Sequence, residues 1–218
     1  MSIKAVLFDY GMVLSGPPDP TAHQRLRSVF SVDHTTFESG YWKFRDDYDR
    51  GHLNGDAYWS EVAKHLNQPL TSSQLSELLA ADTALWTQPN QPMIDWAHAL
   101  QHAGIKTGIL SNIGDAMEAG ILARFSWLRS FDHHTFSHRL GLAKPDPAIY
   151  QHAAEGLGVP TSAILFIDDR SENIAAARAA GMNAIQYTTH PAFIESMKSS
   201  GFTNLLDPTT ANFSPTLP

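Results

Sequence analysis

The sequence predicts an α/β fold: a doubly wound, parallel, five-stranded sheet with helices on both faces and a helical cap domain inserted after the first strand. Three observations carry this. The run Ile3–Phe8 is apolar, rich in strand formers, and stops at Asp9; a continuous apolar run is the pattern of a strand buried on both faces. From Met93 onward, strand-length apolar segments alternate with segments of helical period, and that alternation makes parallel βαβ units. Between the two, residues 15–86 carry helix patterns and no convincing strand. The expected division is therefore a core of 1–14 plus 87–218 around a helical cap of 15–86.

Each element has its own signal. Ser15-Gly16-Pro17-Pro18-Asp19-Pro20 breaks the chain after the first strand. Thr21 is the expected cap of a helix to about Phe30. Asp33 caps a longer one bearing Phe37, Tyr41, Phe44 and Tyr48. Asn54 opens a third (Tyr58, Val62, Leu66), and Thr71 a fourth (Leu75, Leu78, Leu79, Leu85). The aromatic stripe reads as helix-packing surface. After a second break at Thr87–Pro92 comes a helix from Met93 to His102, with Gly104 as its C′ residue. Strands follow at Ile105–Leu110, Thr135–Ser137, Ala163–Ile167 and Asn183–Tyr187. The helices between and after them are Asp115–Ala123, one capped by Asp146 with Pro147 in its first turn, Ser171–Ala180 and Pro191–Ser199. Gly201–Pro218 reads as a docked or loose tail.

Composition narrows the function. The chain is 43% hydrophobic and 17% charged, ordinary for a soluble globular protein. Its net charge is -7 and it has no run of Lys and Arg, which argues against nucleic acid or an anionic membrane as partner. There is no Cys, so neither disulfide nor thiolate chemistry is available, which fits a reducing compartment. The N-terminal apolar stretch meets Asp9 too soon for a signal peptide, and no run has membrane-spanning length. A cytoplasmic protein is expected. Composition does not specify an oligomeric state.

Three strands end in polar groups: Asp9, Ser111-Asn112 and Asp168-Asp169. On a parallel sheet such endings share one edge, where open α/β folds bind ligands. Gathered carboxylates repel, each close ionised pair costing about 4 kcal/mol at about 4 Å and an effective dielectric near 20. They need a cation, and an oxygen-only donor set suits a hard ion, Mg²⁺ above all. Lys144, in Ala143-Lys144-Pro145-Asp146-Pro147, is a candidate second cation.

Asp9 in Asp-x-x-x-Val-Leu, Ser111-Asn112 after an apolar strand, Lys144-Pro145-Asp146-Pro147, and Asp168-Asp169 before an Ala-rich helix resemble, in order, the four motifs of the haloacid dehalogenase-like (HAD) hydrolase superfamily. The inserted helical segment resembles that family's cap. Asp9-Tyr10-Gly11-Met12-Val13-Leu14 and Tyr48-Asp49-Arg50-Gly51-His52-Leu53 are similar to its glucose-1-phosphate phosphatase-like branch. The resemblance implies a Mg²⁺-dependent phosphatase acting on a small phosphate ester, such as a sugar phosphate. Asp9 would attack phosphorus to give an aspartyl-phosphate. The metal would be held by Asp9, the Gly11 carbonyl and Asp169, with Asp168 acting through water. Ser111 and Asn112 would bind the phosphoryl oxygens, and Lys144 would balance charge.

One position departs from the pattern. Typical family phosphatases carry a second Asp, as general acid and base, where this chain has Gly11. Such a group is worth about 10²–10⁴-fold in rate. His23 or His52 of the cap could supply a proton, though ordinary packing or surface roles are the simpler reading for both. His133, His134 and His138 read as surface histidines on an edge strand rather than a zinc site. Two rivals stand beside the phosphatase: a 2-haloacid dehalogenase, with Asp9 attacking carbon and no metal, and a non-catalytic phosphate-binding module of the same fold.

Overall fold

The computed structural model describes residues 2–208. Five parallel strands form one sheet in the order β3-β2-β1-β4-β5. They are β1 (Ala5–Phe8), β2 (Lys106–Ser111), β3 (His133–Phe136), β4 (Ile164–Asp168) and β5 (Asn183–Gln186). The described helices are α1 (Pro20–Phe30), α2 (His34–Lys43), α3 (Arg45–Asp49), α4 (Gly55–His65), α5 (Ser72–Leu85), α6 (Gln91–His102), α7 (Asp115–Arg124), α8 (Pro147–Leu157), α9 (Ser171–Ala179), α10 (His190–Ser199) and α11 (Thr203–Leu206).

Alternation along the strands builds two cores. Val6 and Phe8 of β1, with Leu165 and Ile167 of β4, pack on the face covered by α6, α7 and α10. Ala5 and Leu7, with Ile164 and Phe166, pack on the opposite face under α8 and α9. Both faces are apolar, as a doubly wound sheet requires. A third cluster lies wholly among α1–α5 and includes Phe30, Phe37, Tyr58, Trp59 and Leu78. The two segments that join this helical part to the sheet run side by side. Gly16 N–H donates to the Gln88 carbonyl at 2.6 Å, and Asn90 N–H to the Leu14 carbonyl at 2.9 Å.

The helical part sits tightly on α7 and the turn after β3. A Cβ on Gly114 would lie 2.1 Å from the Tyr48 ring, and one on Gly51, whose φ is +75°, only 2.3 Å from the His138 carbonyl. Gly55 N–H donates to Asp115 Oδ1 at 2.9 Å.

Several local expectations are corrected. Asp19, not Thr21, caps α1, accepting from the Thr21 and Ala22 amides at 2.8 and 2.9 Å; Pro20 serves as the first helical residue, where its missing N–H costs nothing. The helix expected from Asp33 through Tyr48 breaks at Phe44 (φ -111°, ψ 7°). Beyond the break, Arg45 pairs with Asp49 within α3 at 3.0 Å and with Asp82 of α5 at 3.3 Å. The third strand starts two residues early, and Ser137 leaves it: its hydroxyl accepts the Ile113 amide at 2.8 Å and donates to the Asp49 carbonyl. Of the C-terminal tail, residues 201–208 are docked, with Leu205 buried and its carbonyl accepting Trp96 Nε1–H at 2.7 Å. Residues 209–218 lie outside the described residues.

Candidate active site

Strand register brings the polar strand ends together. Phe8 pairs with Ile167 on one side and Ile109 on the other, so Asp9 and Asp168 are the next residues on adjacent strands, and the Asp9 amide donates to the Ile167 carbonyl at 2.8 Å. β1 is where chain order along the sheet reverses, the usual crevice for a ligand. Past Asp9 the backbone makes a wide turn that leaves helical geometry at Gly11 (φ -61°, ψ 135°) and Met12 (φ 60°, ψ -6°). That turn keeps the chain at the crevice. Asp9, Gly11, Ser111, Asn112, Lys144 and Asp169 all line one cavity of about 280 Å³.

Lys144 is the centre of charge. It is buried, and Nζ lies 2.8 Å from Asp9 Oδ1 and 2.7 Å from Asp168 Oδ2. Its loop is fixed by Asn112, whose Oδ1 accepts the Lys144 amide at 2.8 Å and whose Nδ2 donates to the Lys144 carbonyl at 3.0 Å. Asn112 thus lines the cavity with its side-chain amide taken up in holding Lys144, so any contact it makes to a ligand falls to its backbone N–H. Asp168 is fully buried; Oδ1 accepts the Arg170 amide at 2.8 Å, and Asn173 Nδ2 donates to both oxygens at 3.0 and 3.1 Å. Ser111 ends β2, and Gly114, not Ser111, caps α7, so capping does not occupy its hydroxyl.

Electrostatics follow from burial and neighbours. Burial pushes the Asp9 carboxyl up from 3.8 to about 7, against the pull of Lys144 and with the added repulsion of Asp168. Burial also raises Asp169, helped by the charge of Asp168. For Asp168 burial acts in the same direction, but Lys144 and the hydrogen bonds from Arg170 and Asn173 outweigh it and hold the carboxyl below its ordinary value. Lys144 is held above its ordinary range because Asp168 and Asp9 outweigh its burial.

The donor set fits a hard divalent cation. One carboxylate oxygen each from Asp9, Asp168 and Asp169 lie within 4.8 Å of one another. The donors are all oxygen, and one ammonium faces three carboxylates, which leaves uncompensated negative charge.

The structure places the other candidates elsewhere. His23 pairs with Glu38 at 2.7 Å and His52 with Asp47 at 3.2 Å, and neither lines the cavity. His133, His134 and His138 are half-buried rather than surface residues. The first two are consecutive on β3 and so point to opposite faces, and His138 pairs with Glu118 across to α7. Sequence reasoning missed Asn173, Trp42, Arg45 and Trp86. A Cβ added to Gly11 would meet the Trp86 ring at 3.6 Å, so an indole flanks the position where the usual second Asp would stand. Asn173 had a faint signal, being the only amide in the Ala-rich helix after Asp168-Asp169.

Comparison with known proteins agrees with this architecture. A family model described as haloacid dehalogenase-like hydrolase matches residues 21–181. Phosphatase MT3486 of Mycobacterium tuberculosis is 30% identical over 190 residues, covering 84% of this chain and 87% of that protein. A HAD family enzyme from Bacteroides thetaiotaomicron superposes with a TM-score of 0.75 at 18% identity, over 87% of this chain and 96% of its own; that enzyme has also been solved with magnesium and inorganic phosphate. L-2-haloacid dehalogenase from Xanthobacter autotrophicus, solved with chloropropionic acid covalently bound, has a TM-score of 0.65 at 20% identity, over 94% of this chain and 86% of its own. The match to the family model and the identity to the mycobacterial relative rest on most of the chain: it belongs to the haloacid dehalogenase-like hydrolases.

Proposed function

We propose that this hydrolase is a Mg²⁺-dependent phosphatase that cleaves a small phosphorylated metabolite through an aspartyl-phosphate on Asp9. The observation that carries the reading is the buried Lys144 ammonium bridging Asp9 and Asp168, with Asp169 close by. Attack on a haloalkyl carbon needs no cation, and a gathered set of carboxylates would then be repulsion without use. Attack on a phosphate dianion needs every positive charge the crevice can hold.

The roles follow from the contacts. Asp9 Oδ1 accepts the Tyr10 amide at 2.7 Å and faces Lys144, which leaves Oδ2 to attack phosphorus. The new P–O bond forms as the ester P–O bond breaks, and the leaving alkoxide takes its proton from solvent water; a water molecule then attacks phosphorus, giving its proton to solvent, releasing inorganic phosphate and restoring the carboxylate. Lys144 favours the ionised form of Asp9 against the effect of burial and meets the charge of the phosphoryl group. Ser111 donates to a phosphoryl oxygen, and Asn112 holds the Lys144 loop in register. A Mg²⁺ here would be held by Asp9, Asp169 and the Gly11 carbonyl, with Asp168 acting through water, and would supply charge neutralisation between nucleophile and dianion. Residues 15–86 serve as the cap over the catalytic core of 1–14 and 87–218.

Release of inorganic phosphate from a panel of phosphate monoesters, with and without Mg²⁺, tests the proposal. Turnover that needs Mg²⁺ and vanishes in Asp9→Asn is expected. Halide release from 2-chloropropionate without metal would assign the dehalogenase chemistry instead. No turnover of any ester would leave the non-catalytic module.

A further inference from the structure

Among the described residues, Trp42 is the large apolar side chain left exposed, with 58% of its surface in solvent. It lies on α2 at the wall of the same cavity that holds Asp9 and Lys144. It is also locked. Its Nε1–H donates to Glu38 Oε2 at 2.8 Å, Glu38 Oε1 pairs with His23 Nε2 at 2.7 Å, and the Tyr41 ring stands edge-on at 4.9 Å. A fixed indole with its N–H already used offers a ligand a flat apolar face and no hydrogen bond.

The rest of the wall has the same character. Beyond the anionic end, the apolar lining is Trp86, Met12, Ile113 and Met117 together with Trp42. Much of the polar lining is engaged within the protein. Arg45 donates to Asp49, Tyr41 and Asp82, and Asn112 is closed on Lys144. Asn173 holds Asp168, and Arg170 Nε pairs with Glu172. A polyol entering this space would give up its water against apolar side chains and polar ones already partly engaged, which is unfavourable for any hydroxyl left unpaired. Stacking one C–H face on Trp42 would not relieve that cost. The volume, about 280 Å³, lies at the small end of ligand sites, which run roughly 300–1,000 Å³.

Building on the phosphatase reading, we propose that the physiological substrate is a phosphate monoester with an aryl or branched-alkyl alcohol portion, and that Trp42 is the residue on which that portion rests. The sugar phosphate implied by sequence resemblance is the disfavoured class.

The test uses the full chain with Mg²⁺ and four primary-alkyl esters of similar leaving group: 2-(2-naphthyl)ethyl phosphate, 3-methylbutyl phosphate, glycerol 3-phosphate and glucose 6-phosphate. The two apolar esters should exceed the two hydroxylated ones in kcat/KM by tenfold or more. In Trp42→Ala, the ratio of kcat/KM for the naphthyl ester to that for methyl phosphate should fall about tenfold, and Trp42→Phe should restore most of it. Since Trp42 is exposed, the substitution leaves the fold intact, which circular dichroism checks. Turnover with equal or reversed preference, or a selectivity ratio untouched in Trp42→Ala, would overturn the substrate class while leaving the phosphatase standing. No phosphate release from any ester would overturn both.

Discussion

The side-chain amide of Asn112 closes on the backbone of Lys144 from both sides, accepting from its N–H at 2.8 Å and donating to its carbonyl at 3.0 Å. One residue at the end of β2 thereby sets where the crevice's central ammonium stands. Asn112→Ala removes both bonds and lets the loop drift. Because a misplacement of about 1 Å can cost 10²-fold, kcat should fall by about 10–100-fold with little change in KM. Steady-state kinetics on a turned-over ester, beside a thermal melt shifted by only a few degrees, would check this.

Lys144→Met keeps the length of the side chain and removes its charge. Asp9 and Asp168 are then left facing one another without the ammonium. Removing one partner of a buried ion pair typically costs about 3–5 kcal/mol, so the metal-free variant should unfold at clearly lower urea. Added Mg²⁺ should recover part of the loss, since a cation replaces a cation. Urea titrations with and without Mg²⁺ measure both effects; a variant as stable as the parent would contradict the role of Lys144 in the crevice.

The raised Asp9 carboxyl gives a pH dependence of known sign. Its folded value, about 7, lies above the ordinary 3.8. The protonated form favours folding, so this contribution is full below pH 3.8 and is lost as pH rises through about 7. Asparagine does not titrate and escapes that loss. In metal-free protein, Asp9→Asn should match the parent near pH 4 and become the more stable by pH 8. The gain has an upper bound of several kcal/mol, at about 1.4 kcal/mol per pH unit. Thermal melts across pH in chelator check it, and a constant difference would refute it.

Gly11 leaves the crevice without the usual side-chain acid. A Cβ there meets only the Trp86 ring, at 3.6 Å, and the backbone φ of -61° suits any residue. Gly11→Asp should therefore fold and should lessen the dependence of rate on leaving-group pKa. Across a series of aryl and alkyl phosphates, the native enzyme should show a steep slope and the variant a shallower one. A flat native series would mean that the empty position does not limit turnover.

The grouping of polar strand ends was legible because strand ends in a parallel sheet need only topology to meet: Asp9, Ser111 and Asp168 are placed by β1, β2 and β4. What periodicity could not show were features decided by partners distant in sequence. The helix break at Phe44 is followed by Arg45 pairing with Asp82, some forty residues away, a partner no local pattern points to. The opening of α1 was misplaced because Asp19-Pro20 reads as a chain break as readily as a cap followed by a first-turn proline. Trp42 carried no signal because it stands off the expected packing stripe of Phe37, Tyr41, Phe44 and Tyr48, and only the fold shows that a cavity lies beside it.

The register between β1 and β4 couples chemistry to folding. The Asp9 amide is bonded to the Ile167 carbonyl at 2.8 Å, one residue before Asp168, so the separation of the two carboxylates is inherited from the sheet rather than from a loop. A slip of one residue in that pairing would turn Asp9 to the opposite face and drive Val6 and Phe8 out of their core. On the phosphatase reading, the spacing of nucleophile and metal ligand is complete only once the β1–β4 hydrogen bonds are, so the crevice is assembled by the sheet itself.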